Sequence, residues 1–202
     1  MDDYKSENRE TYDRYAKEFD TKFGKHFDER VRKDANLFLS QLTGKKILDA
    51  GSGPGNHAEY FKQNGCDVTC IDISPEMVKL CLAKGLKAVV DDLENLHIDG
   101  SFDGIWAYAS LLHVPKDKVR QALKSLTAHL KPHGLIGIAL KEGRGEGFET
   151  HDKYPGTKRW FTYFTDKEVK DLFAGDFELL HESKDNVKNK YVFIDYIFRL
   201  KS

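Results

Sequence analysis

The sequence has few of the residues and segments that mark several classes of protein. Only three of its 202 residues are cysteine, namely Cys66, Cys70 and Cys81, and neither a CxxC pair nor a nearby histidine pair accompanies them. We therefore expect neither a secreted disulfide framework nor a metal site. No run approaches the roughly 18 apolar residues of a membrane span. The N-terminus is acidic where a signal peptide would be basic and then apolar.

An excess of charge of one sign is also missing. Lysine and arginine number 32 against 33 acidic residues, which gives a formal net charge of -1. Nucleic-acid-binding proteins and membrane-surface proteins concentrate positive charge, so neither class is expected. Hydrophobic residues make up 40% of the chain, enough for a sizeable core. We expect a single globular domain over residues 1–202, located in the cytoplasm.

Short apolar runs alternate with amphipathic helical segments through the middle of the chain. Ser74 followed by Pro75 predicts a helix over 76–84, closed by Gly85, and apolar spacing from Val119 predicts another. The alternation indicates βαβ units and a doubly wound α/β fold around a parallel sheet. The five apolar runs are 47–50, 67–73, 87–90, 102–109 and 135–140.

The two ends of the chain show different patterns. Residues 1–43 are expected to form a cap of two helices, the first carrying an aromatic stripe that Gly24 ends and the second covering about Glu29–Leu42. A capping box at 165–168 predicts a short helix. Strand patterns over 177–180 and 192–200 then predict an antiparallel hairpin on the edge of the sheet.

A glycine-rich turn follows the first apolar run. The segment 47–56 reads ILDAGSGPGN, so a buried strand ends near Asp49 and three glycines, Gly51, Gly53 and Gly55, precede a helix. Glycine permits positive φ and leaves room for a ligand directly on the backbone. The N–H groups at the start of the next helix remain unpaired. A glycine turn alone is equally consistent with a tight strand-to-helix connection.

Acidic residues stand at the ends of the next two strands. Asp72 ends the second run, and 91–94 reads DDLE after the third. In a doubly wound sheet the carboxyl ends of neighbouring strands open onto one crevice. A carboxylate at the position of Asp72 can accept both hydroxyls of a ribose, while Asp92 and the backbone of Leu93 can recognise an adenine. A helix-start role for Asp72 and a solvated loop at 91–94 are the alternatives.

The sequence resembles the class I S-adenosylmethionine-dependent methyltransferases, in particular their small-molecule branch. The resemblance runs from about Tyr12 to the C-terminus and rests on four motifs: 47–55, 70–77 (CIDISPEM), 92–96 before Ser101-Phe102-Asp103, and 130–134 (LKPHG). The first two are highly specific to the family. His97 and His133 replace the proline and glycine that relatives often carry at these turns, which casts little doubt on cofactor binding.

The resemblance implies a seven-stranded sheet and a set of residues that bind S-adenosylmethionine. Gly51 and Gly53 would lie under the methionine part, Asp49 would help hold its ammonium, and Asp72 would bind the ribose. Asp92 and Leu93 would recognise the adenine, and Ala107 and Tyr108 would lie beside the transferable methyl. The matched motifs add Gly55, Ile73 and Met77 to this set. Residues 44–140 would form the cofactor-binding core.

A dinucleotide-dependent oxidoreductase is the competing interpretation. Its GxGxxG motif, counted from Gly51, requires glycine where Asn56 stands. The carboxylate of Asp49 would also repel a pyrophosphate. A sulfonium amino acid carries positive charge, so an acidic crevice suits it. A non-catalytic module that binds the same cofactor is a third possibility, which labelled-product formation would distinguish.

The resemblance implies transfer of the methyl to a small soluble acceptor by in-line displacement, for which the protein mainly supplies orientation. The protein would act as a monomer or homodimer. His113, after the fourth strand, is a candidate general base, and Tyr108 is a second candidate catalytic residue. Packing against the next helix is the alternative for His113.

Residues 141–202 are expected to contain a substrate loop before the C-terminal hairpin. A glycine-rich stretch and an aromatic cluster over 141–165 are typical of a substrate lid. Lys141, Arg144 and Arg159 can hold a carboxylate or phosphate on the acceptor, and Tyr163 stands in the same cluster. At the other end, 12–16 resembles the short helix with which many relatives cover the cofactor, so Tyr12 and Tyr15 are candidate lid residues contacting substrate and cofactor respectively.

Overall fold

The computed structural model describes residues 3–26, 31–187 and 191–201. The helices are α1 (Asp3–Arg14), α2 (Ala16–His26), α3 (Arg32–Gln41), α4 (Asn56–Gln63), α5 (Pro75–Ala83), α6 (Val119–Thr127) and α7 (Asp166–Phe173), with a 3-10 turn at Leu111–His113. The strands are β1 (Lys46–Ala50), β2 (Asp67–Asp72), β3 (Lys87–Val90), β4 (Phe102–Tyr108), β5 (Leu130–Glu142), β6 (Glu146–Thr150), β7 (Lys158–Phe164), β8 (Phe177–Val187) and β9 (Tyr191–Leu200).

The central sheet is parallel in the order β3-β2-β1-β4-β5. β9 then pairs antiparallel with β5, and β8 pairs antiparallel with β9. The α/β fold class and the antiparallel C-terminal hairpin are therefore confirmed. Because β1, β2 and β4 run in the same direction, their carboxyl ends meet at one edge of the sheet.

The described residues form nine strands rather than the seven expected. The two additional strands are β6 and β7, an antiparallel hairpin in the segment that we expected to be a loop. The carboxyl end of β5 pairs in parallel with β7 at Lys141 and Glu142. β7 begins with two charged residues, Lys158 and Arg159, which hide the strand periodicity of the sequence. For this reason the sequence pattern suggested a lid.

Both faces of the sheet are covered by apolar side chains. On one face, Trp106 is fully buried and its ring lies 5.0 Å from that of Phe38 and 5.4 Å from that of Phe61. On the other face, α6 buries four residues at helical spacing and Phe173 of α7 stacks on Phe198 at 4.2 Å. This two-sided burial accounts for the continuous apolar runs of the parallel strands.

The N-terminal segment contains three helices in the described residues, not two. α1 was missed because its buried face is largely polar: Tyr4, Asn8 and Thr11 lie one turn apart. These groups bind β7 by hydrogen bonds, with the Trp160 N–H donating to Asn8 Oδ1 (2.7 Å) and the Thr11 hydroxyl donating to the Lys158 carbonyl (2.9 Å). Gly24 lies inside α2 and does not end it.

Other helix boundaries agree with the sequence patterns. The Ser74 hydroxyl caps α5 by accepting from the Met77 N–H at 3.1 Å, and the capping box at the start of α7 is present. The expected start of the second N-terminal helix, near Glu29, lies outside the described residues. No helix in the described part of the chain is long and apolar enough to cross a membrane.

Close packing of the sheet predicts unequal effects for two glycine substitutions. A Cβ at Gly137 in β5 would lie 2.5 Å from the Trp106 ring, whereas a Cβ at Gly147 in β6 would have no heavy atom within 4 Å among the described residues. We expect Gly137→Ala to lower the free energy of unfolding by about 1–3 kcal/mol through overpacking. Gly147→Ala should be neutral or stabilising by up to about 1 kcal/mol. Urea titrations of both variants check this, and equal effects would contradict the packing described.

Candidate functional site

The turn after β1 requires glycine. Gly51, Gly53 and Gly55 all have positive φ, at 74°, 53° and 81°. A Cβ at Gly51 would lie 2.4 Å from the Cβ of Ser110. The N–H groups of Gly51 and Ser52 both donate to the Ile71 carbonyl at 2.9 Å, which joins the turn to β2. The backbone of the turn therefore packs closely against the end of β2 and against Ser110 after β4, because the glycines have no side chains.

Asp72 joins the two neighbouring strand ends. Its Oδ2 accepts from the Gly53 N–H at 2.8 Å, and its Oδ1 accepts from the Ser74 N–H at 2.9 Å. Burial raises the pKa of Asp72 to about 6, against the lowering effect of these two hydrogen bonds, and Asp13 raises it further. Asp13, on α1, accepts from the Ser74 hydroxyl at 2.6 Å. The N-terminal cap thus closes directly over Asp72.

Asp49 is the least satisfied acid of the site. Its side chain is 2% exposed, and its Oδ2 has no hydrogen-bond partner among the described residues. Burial raises the pKa of Asp49 well above its usual range, and the nearby Cys81 and Asp72 add to the effect. The Ser110 hydroxyl is a second buried oxygen without a partner in the described chain. Such groups favour a ligand that donates hydrogen bonds or carries positive charge.

The loop after β3 is tied to α1. Lys5 lies 2.7 Å from Asp92 Oδ2 and 3.0 Å from Glu94 Oε1, and the Tyr4 hydroxyl donates to the same glutamate oxygen. Leu93 is half-buried and packs against the core. Asp92 and Leu93 therefore lie at the edge of the crevice, and Lys5 of the cap contacts Asp92 there.

Further predicted cofactor residues lie in β4, after β2 and in the N-terminal cap. Ala107 is fully buried in β4, and the Tyr108 ring stacks on Trp106 with 4.9 Å between centroids. After β2, Ile73 is half-buried, while Met77 is fully buried in a cluster with Phe19 of α2. The Tyr15 hydroxyl donates to the Pro155 carbonyl at 2.8 Å. Tyr15 thus joins the cap to the loop between β6 and β7.

His113 lies at the centre of a hydrogen-bonded chain between the cap and the β6–β7 hairpin. Its Nδ1 is 2.7 Å from the Trp160 carbonyl, which accepts only, so Nδ1 carries the proton. Its Nε2 then accepts from the Tyr12 hydroxyl, also at 2.7 Å. Arg159 Nη1 donates to the Tyr12 oxygen at 3.3 Å. Burial, helped by Arg159 and opposed by the Trp160 hydrogen bond, lowers the pKa of His113 to about 3.

Lys141 lies close to this chain. It is 5% exposed, and its ammonium lies 3.4 Å from the centroid of the Phe161 ring and 3.5 Å from Glu149 Oε2. The Tyr163 hydroxyl donates to the other oxygen of Glu149. Arg144 is exposed in the turn between β5 and β6 and makes none of these contacts. Lys141, Arg159 and Tyr163 are thus brought together, and Arg144 is not.

Several residues of the site were not expected from the sequence. Lys5 and Asp13 project from α1, a helix whose polar buried face gave no apolar period to detect. Glu149 lies in the β6 strand that was expected to be loop. The residues of this strand, EGFET, do not alternate between polar and apolar, so no clear signal for it is present in the sequence.

Comparisons with known proteins give a consistent result. The profile of a family described as a methyltransferase domain matches residues 47–134, the segment that contains the glycine turn, Asp72 and Asp92. A malonyl-[acyl-carrier protein] O-methyltransferase of Enterobacter lignolyticus (strain SCF1) is 30% identical over 119 residues. Residues 47–134 therefore match a methyltransferase domain, in agreement with the resemblance of the sequence motifs.

Solved methyltransferases share the whole fold. A structure described as a DhpI–SAH complex has a TM-score of 0.75 and 20% identity, covering 98% of this chain and 97% of that one. The 1,6-didemethyltoxoflavin-N1-methyltransferase of Burkholderia thailandensis, with bound 1,6-didemethyltoxoflavin and S-adenosylhomocysteine, has a TM-score of 0.68 and 23% identity, covering 93% and 88%. The Enterobacter match, in contrast, covers 55% of this chain and 46% of the relative, so the chain spans about half of that protein.

The hydrogen bonds of His113 predict how it titrates. Because its pKa is lowered to about 3, we expect a neutral imidazole with the proton on Nδ1 at pH 5, where an ordinary histidine is protonated. The unfolded chain binds a proton there that the folded chain does not, so this contribution to stability is present above about pH 6.5 and declines toward pH 3. Nitrogen-15 NMR measures the protonation state of the His113 imidazole, whose signals are assigned by their loss in His113→Gln. A midpoint near that of the urea-unfolded chain would contradict the burial described.

Proposed function

We propose that this protein transfers a methyl group from S-adenosylmethionine to a small acceptor. The observation that carries the proposal is the buried Oδ2 of Asp49, which has no hydrogen-bond partner among the described residues and lies near Asp72 and the glycine turn. The charged form of a buried acid is disfavoured by burial and by a neighbouring acid, and a cation favours it. When bound, S-adenosylmethionine supplies an activated methyl on a positively charged sulfur.

The proposed roles follow the positions of the residues. Gly51 and Gly53 leave the backbone bare under the methionine part, and Asp49 accepts from its ammonium. Asp72 has oxygen lone pairs beyond those used by Gly53 and Ser74, and these accept from the ribose hydroxyls. Asp92 and Leu93 recognise the adenine. Gly55, Ile73, Met77 and Tyr15 line the remaining wall, and Ala107 and Tyr108 lie beside the methyl group.

Binding at this site requires adjustment of the cap. Lys5 contacts Asp92, and Asp13 on the same helix contacts the segment after Asp72. The hydrogen bonds that hold α1 on β7 involve only a few polar groups, so α1 can separate from the core without exposing a large apolar face. We propose that α1 opens to admit the cofactor and closes over it.

The proposed reaction does not depend on a strong base. The low pKa of His113 and its two hydrogen bonds make it a weak base near neutral pH. We therefore assign His113 to positioning the Tyr12 hydroxyl, and Tyr108 to orienting the reacting groups by its packing. Orientation and closeness account for most of the catalysis of such a displacement.

An NAD(P)-dependent oxidoreductase is disfavoured by the charge of the crevice. A pyrophosphate at the glycine turn would lie beside Asp49 and Asp72, and both contacts would be repulsive if the acids were ionised.

We further propose that residues 1–202 act as a single methyltransferase domain in the cytoplasm, as a monomer or homodimer, and without a nucleic-acid partner. The balanced net charge of -1 supports the last point.

Replacement of Asp72 tests the cofactor site. We expect Asp72→Asn to weaken binding of S-adenosylmethionine tenfold or more, because a charged acceptor for the ribose is lost. Asp67→Asn, at the other end of β2, removes an exposed acid that pairs with Lys87 and should leave affinity unchanged. Isothermal titration calorimetry measures both, with circular dichroism to confirm folding. Equal affinities in the two variants would refute the assignment of Asp72.

A further inference from the structure

Two cationic side chains face one aromatic cluster between α1 and the β6–β7 hairpin. The guanidinium carbon of Arg159 lies 4.9 Å from the centroid of the Phe161 ring and 5.6 Å from that of Tyr12. The Lys141 ammonium lies 3.4 Å from the centroid of the same Phe161 ring. Both charges are therefore held on aromatic surfaces beside one shared ring, which limits their contact with water.

Arg159 has hydrogen-bonding capacity that the protein does not use. A guanidinium carries five N–H donors. Within the described ranges it donates one hydrogen bond, to Tyr12 at 3.3 Å, and it takes part in no ion pair. Its side chain is half-buried. This is the arrangement in which an arginine binds a carboxylate or phosphate through paired hydrogen bonds.

Positive charge exceeds negative charge in this part of the site. Burial lowers the pKa of Lys141 to about 8, and the charges of Arg159 and Lys22 contribute to the lowering, while Glu149 opposes it. Glu149 is a carboxylate in contact with Lys141, and it also accepts from Tyr163. A bound sulfonium would add another positive charge nearby, so an anionic acceptor would lower the electrostatic energy of the site.

The cluster adjoins the proposed cofactor site. Tyr12 accepts from Arg159 at 3.3 Å, and its neighbour on α1, Asp13, accepts from the hydroxyl of Ser74, two residues after Asp72. The hydroxyl of Tyr12 donates to His113, which follows the end of β4. An anion bound by Arg159 would therefore lie near the end of β4, where the proposed function places the methyl group.

We propose that the acceptor is a small oxyacid anion, a carboxylate or a phosphate-type group, which Arg159 and Lys141 bind and whose anionic oxygen receives the methyl. This inference rests on the proposed methyl transfer. A bond forms between that oxygen and the methyl carbon, and the bond from the methyl carbon to sulfur breaks with its electron pair left on sulfur. The anion becomes an ester with one less negative charge, the sulfonium becomes a neutral thioether, and no proton is released.

The surroundings of His113 fit an acceptor of this kind. Its Nδ1 donates to the Trp160 carbonyl and its Nε2 accepts from Tyr12, so both nitrogens are engaged. An alcohol, thiol or ammonium acceptor must lose a proton during transfer, whereas an oxyacid is already ionised near neutral pH. Because both nitrogens of His113 are engaged, an anionic oxygen that needs no deprotonation suits this site as the nucleophile.

The first test identifies the product formed from methyl-labelled S-adenosylmethionine and a metabolite extract. We expect a labelled ester with one negative charge fewer than its acceptor on anion exchange. Release of labelled methanol in mild alkali marks a carboxyl ester, and an alkali-stable ester marks a phosphate-type acceptor. A labelled amine, thioether or ether would overturn the inference and leave the proposed function standing. No labelled product, despite cofactor binding, would overturn both.

The second test measures anion binding without turnover. Inorganic phosphate and propionate, each at constant ionic strength set with chloride, should raise the melting temperature of the wild-type protein. Arg159→Gln should lose at least half of this shift, since glutamine can still donate to Tyr12 but carries no charge. Arg120→Gln removes the same charge from an exposed position on α6 and should keep the shift. Equal shifts in both variants, or none in the wild type, would overturn the inference.

Discussion

Burial of two acids, Asp49 and Asp72, at one edge of the sheet is the constraint on which the ligand site depends. Parallel pairing of β1 with β2 places both carboxylates at the same edge of the sheet, and the N-terminal cap shields them from water. Burial raises the pKa of each, and the nearby Asp72 raises that of Asp49 further. A neutral or anionic ligand would leave this cost in place, whereas a cationic one relieves it. The class of ligand thus follows from the sheet and its charges together.

The cap and the β6–β7 hairpin complete the site from the other side. α1 reaches the turn after β2 through Asp13, the loop after β3 through Lys5, and the hairpin through Asn8. The same helix places the Tyr12 hydroxyl within hydrogen-bond distance of Arg159. Asp49 and Asp72 thus lie near the ends of β1 and β2, whereas Arg159 lies in β7 and Lys141 near the end of β5, which pairs with β7. This separation of charge gives the cationic cofactor and an anionic acceptor different walls of one crevice.

The core of the fold and half of the site could be predicted from the sequence, because both depend on local patterns. The ILDAGSGPG turn, Asp72 and the capped helix α5 each combine a strand end with residues that only a few conformations accept. The hairpin β6–β7 and helix α1 could not be predicted in the same way. Their buried faces are polar or aromatic and are satisfied by partners distant in sequence, as Asn8 is by Trp160. The pairing of Lys141 with Glu149 likewise depends on the hairpin register.

Proton exchange on binding of S-adenosylmethionine tests the electrostatic account most directly. With a pKa of about 6, Asp72 is partly protonated at pH 6 in the free protein. A cation in the crevice and ribose hydroxyls on the carboxylate both favour its ionised form. Calorimetric titration at pH 6 in two buffers of different ionisation enthalpy should therefore show net release of protons. Binding without proton release at pH 6, or with uptake, would contradict the account.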